Sequence, residues 1–216
     1  MAMIVRTLSE RVFEIVRERI VIGALSGNAP IKQDVLAAEL GVSKIPIREA
    51  LARLEQEGLL FSQANRGYFV EPMSAAQVDE IYALRLLVEP RAAADAAALA
   101  DDAERAAAIA AFERLDRAAG GNLADVAVCN REFHTALVRP GGKLLTTQLI
   151  ERLSILAERY VVAHLEPAGR DARAHLEHQA LLDAWLGQDA PRFERLLTGH
   201  LQATLDDLRQ QFGTVG

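Results

Sequence analysis

Two apolar-periodic stretches, one carrying Val35, Leu36 and Leu40 and the next Ile47, Ala50, Leu51 and Leu54, are joined by little more than Gly41-Val42. Apolar residues spaced three and four apart predict amphipathic helices. So short a link forces the two helices to cross sharply, the geometry of a helix-turn-helix pair. Gly41 is placed to stop the first helix and Ser43 to cap the second, whose first turn accommodates Pro46.

The flanking residues extend this pair. Thr7-Leu-Ser-Glu10 reads as a capping box that opens a helix with Leu8, Val12, Ile15, Val16 and Ile20 on one face. Gly23 and Ser26-Gly-Asn-Ala-Pro30 end it. Beyond Gly58, the short apolar runs Gly58-Leu-Leu-Phe61 and Tyr68-Phe-Val70 enclose the polar turn Gln63-Ala-Asn-Arg-Gly67, which predicts a β-hairpin. Three helices and a hairpin outline a winged helix-turn-helix, with a boundary at Glu71-Pro72-Met73. The expected domains are therefore 1–72 and 73–216.

The second part is Ala-rich and offers no convincing strand. Ser74-Ala-Ala-Gln77 is a second capping box, opening a helix to about residue 100 that Pro90 is expected to kink. Further helices are predicted from Asp101-Asp102 to Gly120-Gly121, then over about 123–138, 144–165, 171–187 and 190–212. Loops this short imply antiparallel neighbours. The predicted class is mainly α: a winged helix-turn-helix with a small hairpin, followed by an all-α antiparallel bundle.

Composition bounds the partners. The chain has 216 residues, 50% of them apolar, enough for two cores. It lacks the apolar run of about 18 residues that a membrane helix needs, and 1–6 are too short for a secretory signal. A single cysteine, Cys129, suits a reducing cytoplasm, so a soluble cytoplasmic protein is expected. The net charge of −6 hides an asymmetry: residues 1–70 hold nine Lys/Arg against eight Asp/Glu, whereas the remainder is strongly acidic. All five histidines lie in that remainder. If the helix-turn-helix binds nucleic acid, so weak a positive charge implies that a monomer binds poorly, and a homodimer over two half-sites is expected.

Leu36-Ala-Ala-Glu-Leu-Gly-Val-Ser-Lys-Ile-Pro-Ile-Arg-Glu-Ala-Leu51, Leu54-Glu-Gln-Glu-Gly58 and Asn65-Arg-Gly67 closely resemble the N-terminal domain of the GntR family of bacterial transcription regulators, over residues 8–71. The resemblance implies a winged helix that binds double-stranded operator DNA. The first turn of its recognition helix presents Ser43, Lys44 and Arg48, and Arg48 shares a face with Lys44. Arg48 suits a guanine or a phosphate, and Ser43 a phosphate oxygen. Arg66 and Gly67 form the expected wing tip. Lys44 stands where the family often has Arg, and Asp34 occupies a site that is basic in some members, so no phosphate contact is expected there.

In the second part, Asn130-Arg-Glu-Phe-His134 places Asn130 and His134 one helical turn apart, His178 lies in Glu177-His-Gln-Ala-Leu-Leu-Asp-Ala184, and His200 in Thr198-Gly-His-Leu201. With Arg85-Leu-Leu-Val-Glu89, these patterns resemble the FCD ligand-binding domain of the FadR subfamily of GntR regulators, over residues 76–212. The resemblance implies a divalent metal (Zn, Ni, Mn or Fe) held by Asn130, His134, His178 and His200, with open positions for a small carboxylate effector. Asn130 stands where the family commonly has Asp, which weakens that ligand. Arg85 either pairs with Glu89 four residues on or meets the effector carboxylate; Arg152, and after it Arg159, are further candidates for that role. His164 and His175 read as helix-end or surface groups, Cys129 as a small buried residue and Trp185 as core.

The expected function is a repressor of transcription whose operator affinity answers to a carboxylate at the metal, and not an enzyme. Two alternatives are a regulator whose histidines pack without metal and a three-histidine metallohydrolase. The chain has no His-Glu-x-x-His pair, no Gly-rich phosphate loop and no serine nucleophile elbow.

Overall fold

A computed structural model describes residues 7–165 and 170–213. The chain divides into two compact units, Met1–Met73 and Ser74–Gly216.

The first unit contains α1 (Leu8–Val21), α2 (Gln33–Leu40), α3 (Lys44–Gln56), β1 (Leu60–Gln63) and β2 (Gly67–Val70). Thr7 and Glu10 cap α1 reciprocally, as the capping box predicts. Gly41 adopts φ +65°, a left-handed stop that lets α3 start soon after α2 ends. Ser43 stands at the N-cap of α3, yet its hydroxyl makes no capping bond. Val16 and Ile20 of α1 pack with Ile47, Leu51 and Leu54 of α3, all fully buried. β1 and β2 pair antiparallel, with Leu60 opposite Val70 and Gln63 opposite Gly67. Pro30 adds a bridge to Phe69, and Ile31 N–H donates to the Tyr68 carbonyl at 2.8 Å, so the segment before α2 lines the free edge of β2.

The second unit contains α4 (Ala75–Leu99), α5 (Asp102–Ala118), α6 (Leu123–Val138), a 3-10 turn (Arg139–Gly141), α7 (Leu144–Leu165), α8 (Arg170–Leu186) and α9 (Ala190–Gly213). Pro90 lies within an uninterrupted α4. The expected capping box at its start is half made: Ser74 accepts from the Gln77 N–H, but the Gln77 side chain instead accepts from the Tyr160 hydroxyl at 2.8 Å. α4 packs against α7 and α9, α5 against α6 and α8, and α6 against α7. Trp185 is fully buried, and its indole N–H donates to the carbonyls of Ala93 and Leu137, tying α8 to α4 and α6. Cys129 is half-buried rather than buried. No helix among the described residues is long and apolar enough to cross a membrane.

Candidate functional site

Three helices of the second unit each turn one imidazole inward. His134 lies beside Phe133, Leu137 and Val138 on the buried stripe of α6. His178, Leu181, Leu182 and Trp185 make the inner face of α8, and Phe193, Leu197, His200, Leu201 and Thr204 that of α9. Each histidine therefore occupies a position where the helical period would place a core residue. One ring nitrogen from each of His134, His178 and His200 falls within 4.8 Å of the others. Their ring centroids are 5.6, 5.5 and 4.7 Å apart. Residues far apart in sequence thus form one cluster.

Carboxylates orient two of the rings. His134 Nδ1 lies 2.6 Å from Glu89 Oε1, and Glu89 is held in turn by Arg85 through Nε at 2.8 Å and Nη2 at 3.2 Å. His200 Nδ1 lies 2.7 Å from Glu177 Oε2. Burial pushes the Glu89 carboxyl up, but Arg85 and His134 outweigh it, so the group sits well below the usual carboxylate range and is ionised. Burial lowers the pKa of His134, against the pull of Glu89. Burial and the neighbouring imidazoles lower that of His178 much further. Both rings are neutral at pH 7, so His134 Nδ1–H donates to Glu89 and leaves Nε2 as an open lone pair.

That lone pair has no partner. His134 Nε2 and His178 Nε2 are buried without any hydrogen bond among the described residues. An unsatisfied buried polar atom costs about 1–3 kcal/mol, and two side by side need a reason. Imidazole nitrogens gathered in this way, with His134 and His200 oriented from behind by carboxylates, are suitable ligands for a borderline divalent ion. The residues present fit such an ion.

The remaining expected site residues fall into different settings. Asn130 is half-buried on α6, one turn before His134. Arg85 is buried and committed to Glu89, with its guanidinium 5.2 Å from the Tyr82 ring, which realises the ion-pair alternative. Arg152 stands on the exposed face of α7, while Arg159 is buried. His175 pairs with Asp116 at 3.0 Å on a partly exposed surface. The side chain of His164 lies outside the described residues. Sequence spacing does not mark Glu89 and Glu177 as histidine partners, because each reaches a ring on another helix.

The first unit carries a second candidate site. Ser43, Lys44, Ile45 and Arg48 are exposed at the start of α3, while Ile47 is fully buried beneath them. The Ser43 hydroxyl, which makes no capping bond, is placed to accept an external partner. Lys44 Nζ lies 2.5 Å from Asp34 Oδ1, an exposed pair that draws the ammonium toward α2. Arg48 makes no ion pair among the described residues. At the hairpin tip, Asn65 and Gly67 adopt φ +61° and +87°, and Arg66 donates to Gln63 Oε1 at 2.9 Å. The tip and the first turn of α3 each present one exposed guanidinium, Arg66 and Arg48.

Comparison with known proteins bears on both sites. Residues 8–70 match the model of the bacterial regulatory proteins of the gntR family, and residues 80–203 match that of the FCD domain. The chain is 30% identical to the uncharacterized HTH-type transcriptional regulator BphR of Paraburkholderia xenovorans LB400, across 95% of this chain and 87% of that one. It is 25% identical to the HTH-type transcriptional repressor RspR of Escherichia coli K12, across 94% and 90%. The structure of E. coli McbR/YncC shares the fold, with a TM-score of 0.79 over 96% of this chain and 99% of that one, at 24% identity.

Proposed function

The chain belongs to the gntR family of bacterial regulatory proteins and carries an FCD domain, a transcriptional regulator rather than an enzyme; from that premise we propose a metal-dependent, ligand-responsive repressor. The observation that carries the metal is the pair of buried, unpartnered Nε2 atoms of His134 and His178 beside His200. The three imidazoles hold the ion, with Asn130 as a neutral fourth candidate on the His134 helix. A divalent ion held this way supplies open coordination positions for a small organic acid. Zinc, nickel, manganese or iron(II) suits such a set, and imidazole leans toward zinc and nickel.

The chain's own residues do the rest. Glu89 and Glu177 fix two of the rings, and Arg85 keeps Glu89 ionised. With Nε and Nη2 bound to Glu89, Arg85 serves the site as a positioning residue. In the first unit, Arg48 reads a guanine or phosphate and Ser43 a phosphate oxygen. Arg66 reaches the backbone or minor groove, Gly67 gives the wing its turn, and Lys44 contributes once released from Asp34. A cytoplasmic homodimer places two such heads on the half-sites of one operator. Repression is the function named for RspR, the 25% identical relative.

The test measures metal content and DNA binding on the same samples. The purified protein loaded with zinc or nickel should hold about one ion per chain and lose it in His134→Ala/His178→Ala, while both proteins shift a duplex selected from a random pool. Small carboxylates should then release DNA from the loaded wild type alone. No stoichiometric ion after loading overturns the metal, and unchanged retention in the double variant overturns these ligands.

A further inference from the structure

The exposed face of α3 holds an apolar residue with no role in phosphate or guanine contact. Lys44, Ile45, Arg48, Glu49, Arg53 and Gln56 are the exposed residues of this helix, and Ile45 is apolar where the others are polar. Ile45 is 69% exposed, whereas Ile47, Ala50, Leu51 and Leu54 are fully buried on the opposite face. One exposed aliphatic residue means nothing by itself, since folded surfaces carry many. Its place is what counts. The first turn of a helix favours acidic side chains, which meet the positive end of the helix dipole, and a β-branched side chain lowers helix propensity. Ile45 is outside the core, and the N-cap position belongs to Ser43, so nothing local accounts for an isoleucine there.

Ile45 stands among the groups that meet DNA. Arg48 and Glu49 follow it by three and four residues, so all three share one face of α3. Lys44 is drawn to Asp34 on α2, which leaves Ile45 and Arg48 facing outward from the first turn. That turn of a recognition helix is the part that reaches base edges. An aliphatic side chain placed there has no hydrogen bond to offer a base edge or a phosphate. The apolar group that the major groove presents is the 5-methyl of thymine, which the other three bases lack. Side chains three residues apart on a helix stand about 5–6 Å apart, against about 3.4 Å per base step, so Ile45 meets a base pair within two steps of the one Arg48 reaches. Val35 is also exposed, at 60%, but it lies on α2, the helix that crosses the backbone rather than entering the groove.

We propose that Ile45 selects a thymine in each operator half-site by packing on its 5-methyl group. The proposal rests on the regulator reading and adds the base that the first turn of α3 chooses.

Exchange of thymidine for deoxyuridine tests it, because the exchange removes that methyl and leaves every hydrogen-bonding edge intact. A duplex selected by the full chain from a random pool is resynthesised with each thymine replaced in turn, and binding is read by fluorescence anisotropy. One replacement in each half-site should weaken binding about fourfold, the worth of one buried methyl group, and the two together about fifteenfold. Ile45→Ser should bind the thymine duplex more weakly than the wild type does, and should bind the thymine and uracil duplexes alike. Ile45→Val, which keeps two methyl groups on Cβ, should retain the discrimination. The position is exposed, so the circular dichroism and melting of both variants should match the wild type. A scan in which no thymine matters, or a thymine whose methyl matters equally to Ile45→Ser, overturns the role of Ile45 and leaves DNA binding standing. A chain that selects no duplex overturns the regulator reading, and the role of Ile45 with it.

Discussion

His134 Nδ1 meets Glu89 Oε1 at 2.6 Å, joining α6 to α4 at the back of the histidine cluster. The same carboxylate is fixed by Arg85, so one buried anion sits between a cation and a neutral ring. Removing one partner of a buried ion pair costs about 3–5 kcal/mol, since the other charge is left uncompensated. Glu89→Ala should therefore lower stability by about that amount, measured by urea unfolding. Glu89→Gln keeps an oxygen for His134 Nδ1–H but leaves Arg85 charged and alone. Adding Arg85→Met to Glu89→Gln should recover much of the loss. Additive losses in the double variant would mean that Arg85 and Glu89 are not one unit.

The buried rings make stability depend on pH. His134 and His178 lie below the usual imidazole value of 6.5 in the folded chain, chiefly through burial. Below about pH 6.5 the unfolded chain binds protons that the folded chain refuses, so stability falls as pH falls, by up to about 1.4 kcal/mol per unit for each ring. Glu89, whose pKa is lowered by Arg85 and His134 against burial, joins the loss only below 4.5. The metal-free protein should hold its melting temperature between about pH 8 and pH 7 and lose it steadily below about 6.5. His178→Leu should flatten that slope. A melting temperature that rises on acidification would contradict the neutral assignment.

Asn130, proposed as the fourth ligand, is the residue whose chemistry can be altered with least disturbance. It is half-buried and one turn from His134. Asn130→Asp exchanges an amide oxygen for a carboxylate of nearly the same shape, which should strengthen a divalent site and slow metal release to a chelator by about tenfold or more. Release followed by a zinc-sensitive dye gives the rate. Equal rates would place residue 130 outside the ligand set.

Local rules reach what is local. The Thr7–Glu10 box and the Gly41 stop follow from spacings within one helix, whereas the grouping of His134, His178 and His200 is legible only through the resemblance to the FCD domain. Contacts between elements are not legible in the same way. Glu89 lies 45 residues from His134, and Glu177 adjoins His178 in sequence yet bonds His200 on the next helix. Gln77 has the spacing of a capping box because that rule sees only three residues; the Tyr160 hydroxyl, 83 positions away, takes its side chain instead. Pro30 has the composition of a loop around it, though it bridges to Phe69. Helix period reports which face is buried and is silent on what it will meet.

On the proposed reading, the exposed pair of Lys44 with Asp34 limits DNA binding by the first unit. A carboxylate beside the first turn of α3 both repels phosphates and holds the ammonium that would otherwise reach them. Each additional phosphate neutralised adds about one unit to the slope of log affinity against log salt. Asp34→Ala should therefore tighten binding to any duplex and steepen that slope by about one. In the same background, Lys44→Ala should weaken binding more than it does in the wild type, since only there is the ammonium free. Arg48→Ala, lacking such a competitor, should weaken binding by about 1–3 kcal/mol in either background. Fluorescence anisotropy over a salt series measures all of these variants. Were Asp34→Ala instead to weaken binding to a selected operator while leaving random duplexes unchanged, Asp34 would be accepting a hydrogen bond from a base such as a cytosine amine, and the acidic residue would belong to the reading surface.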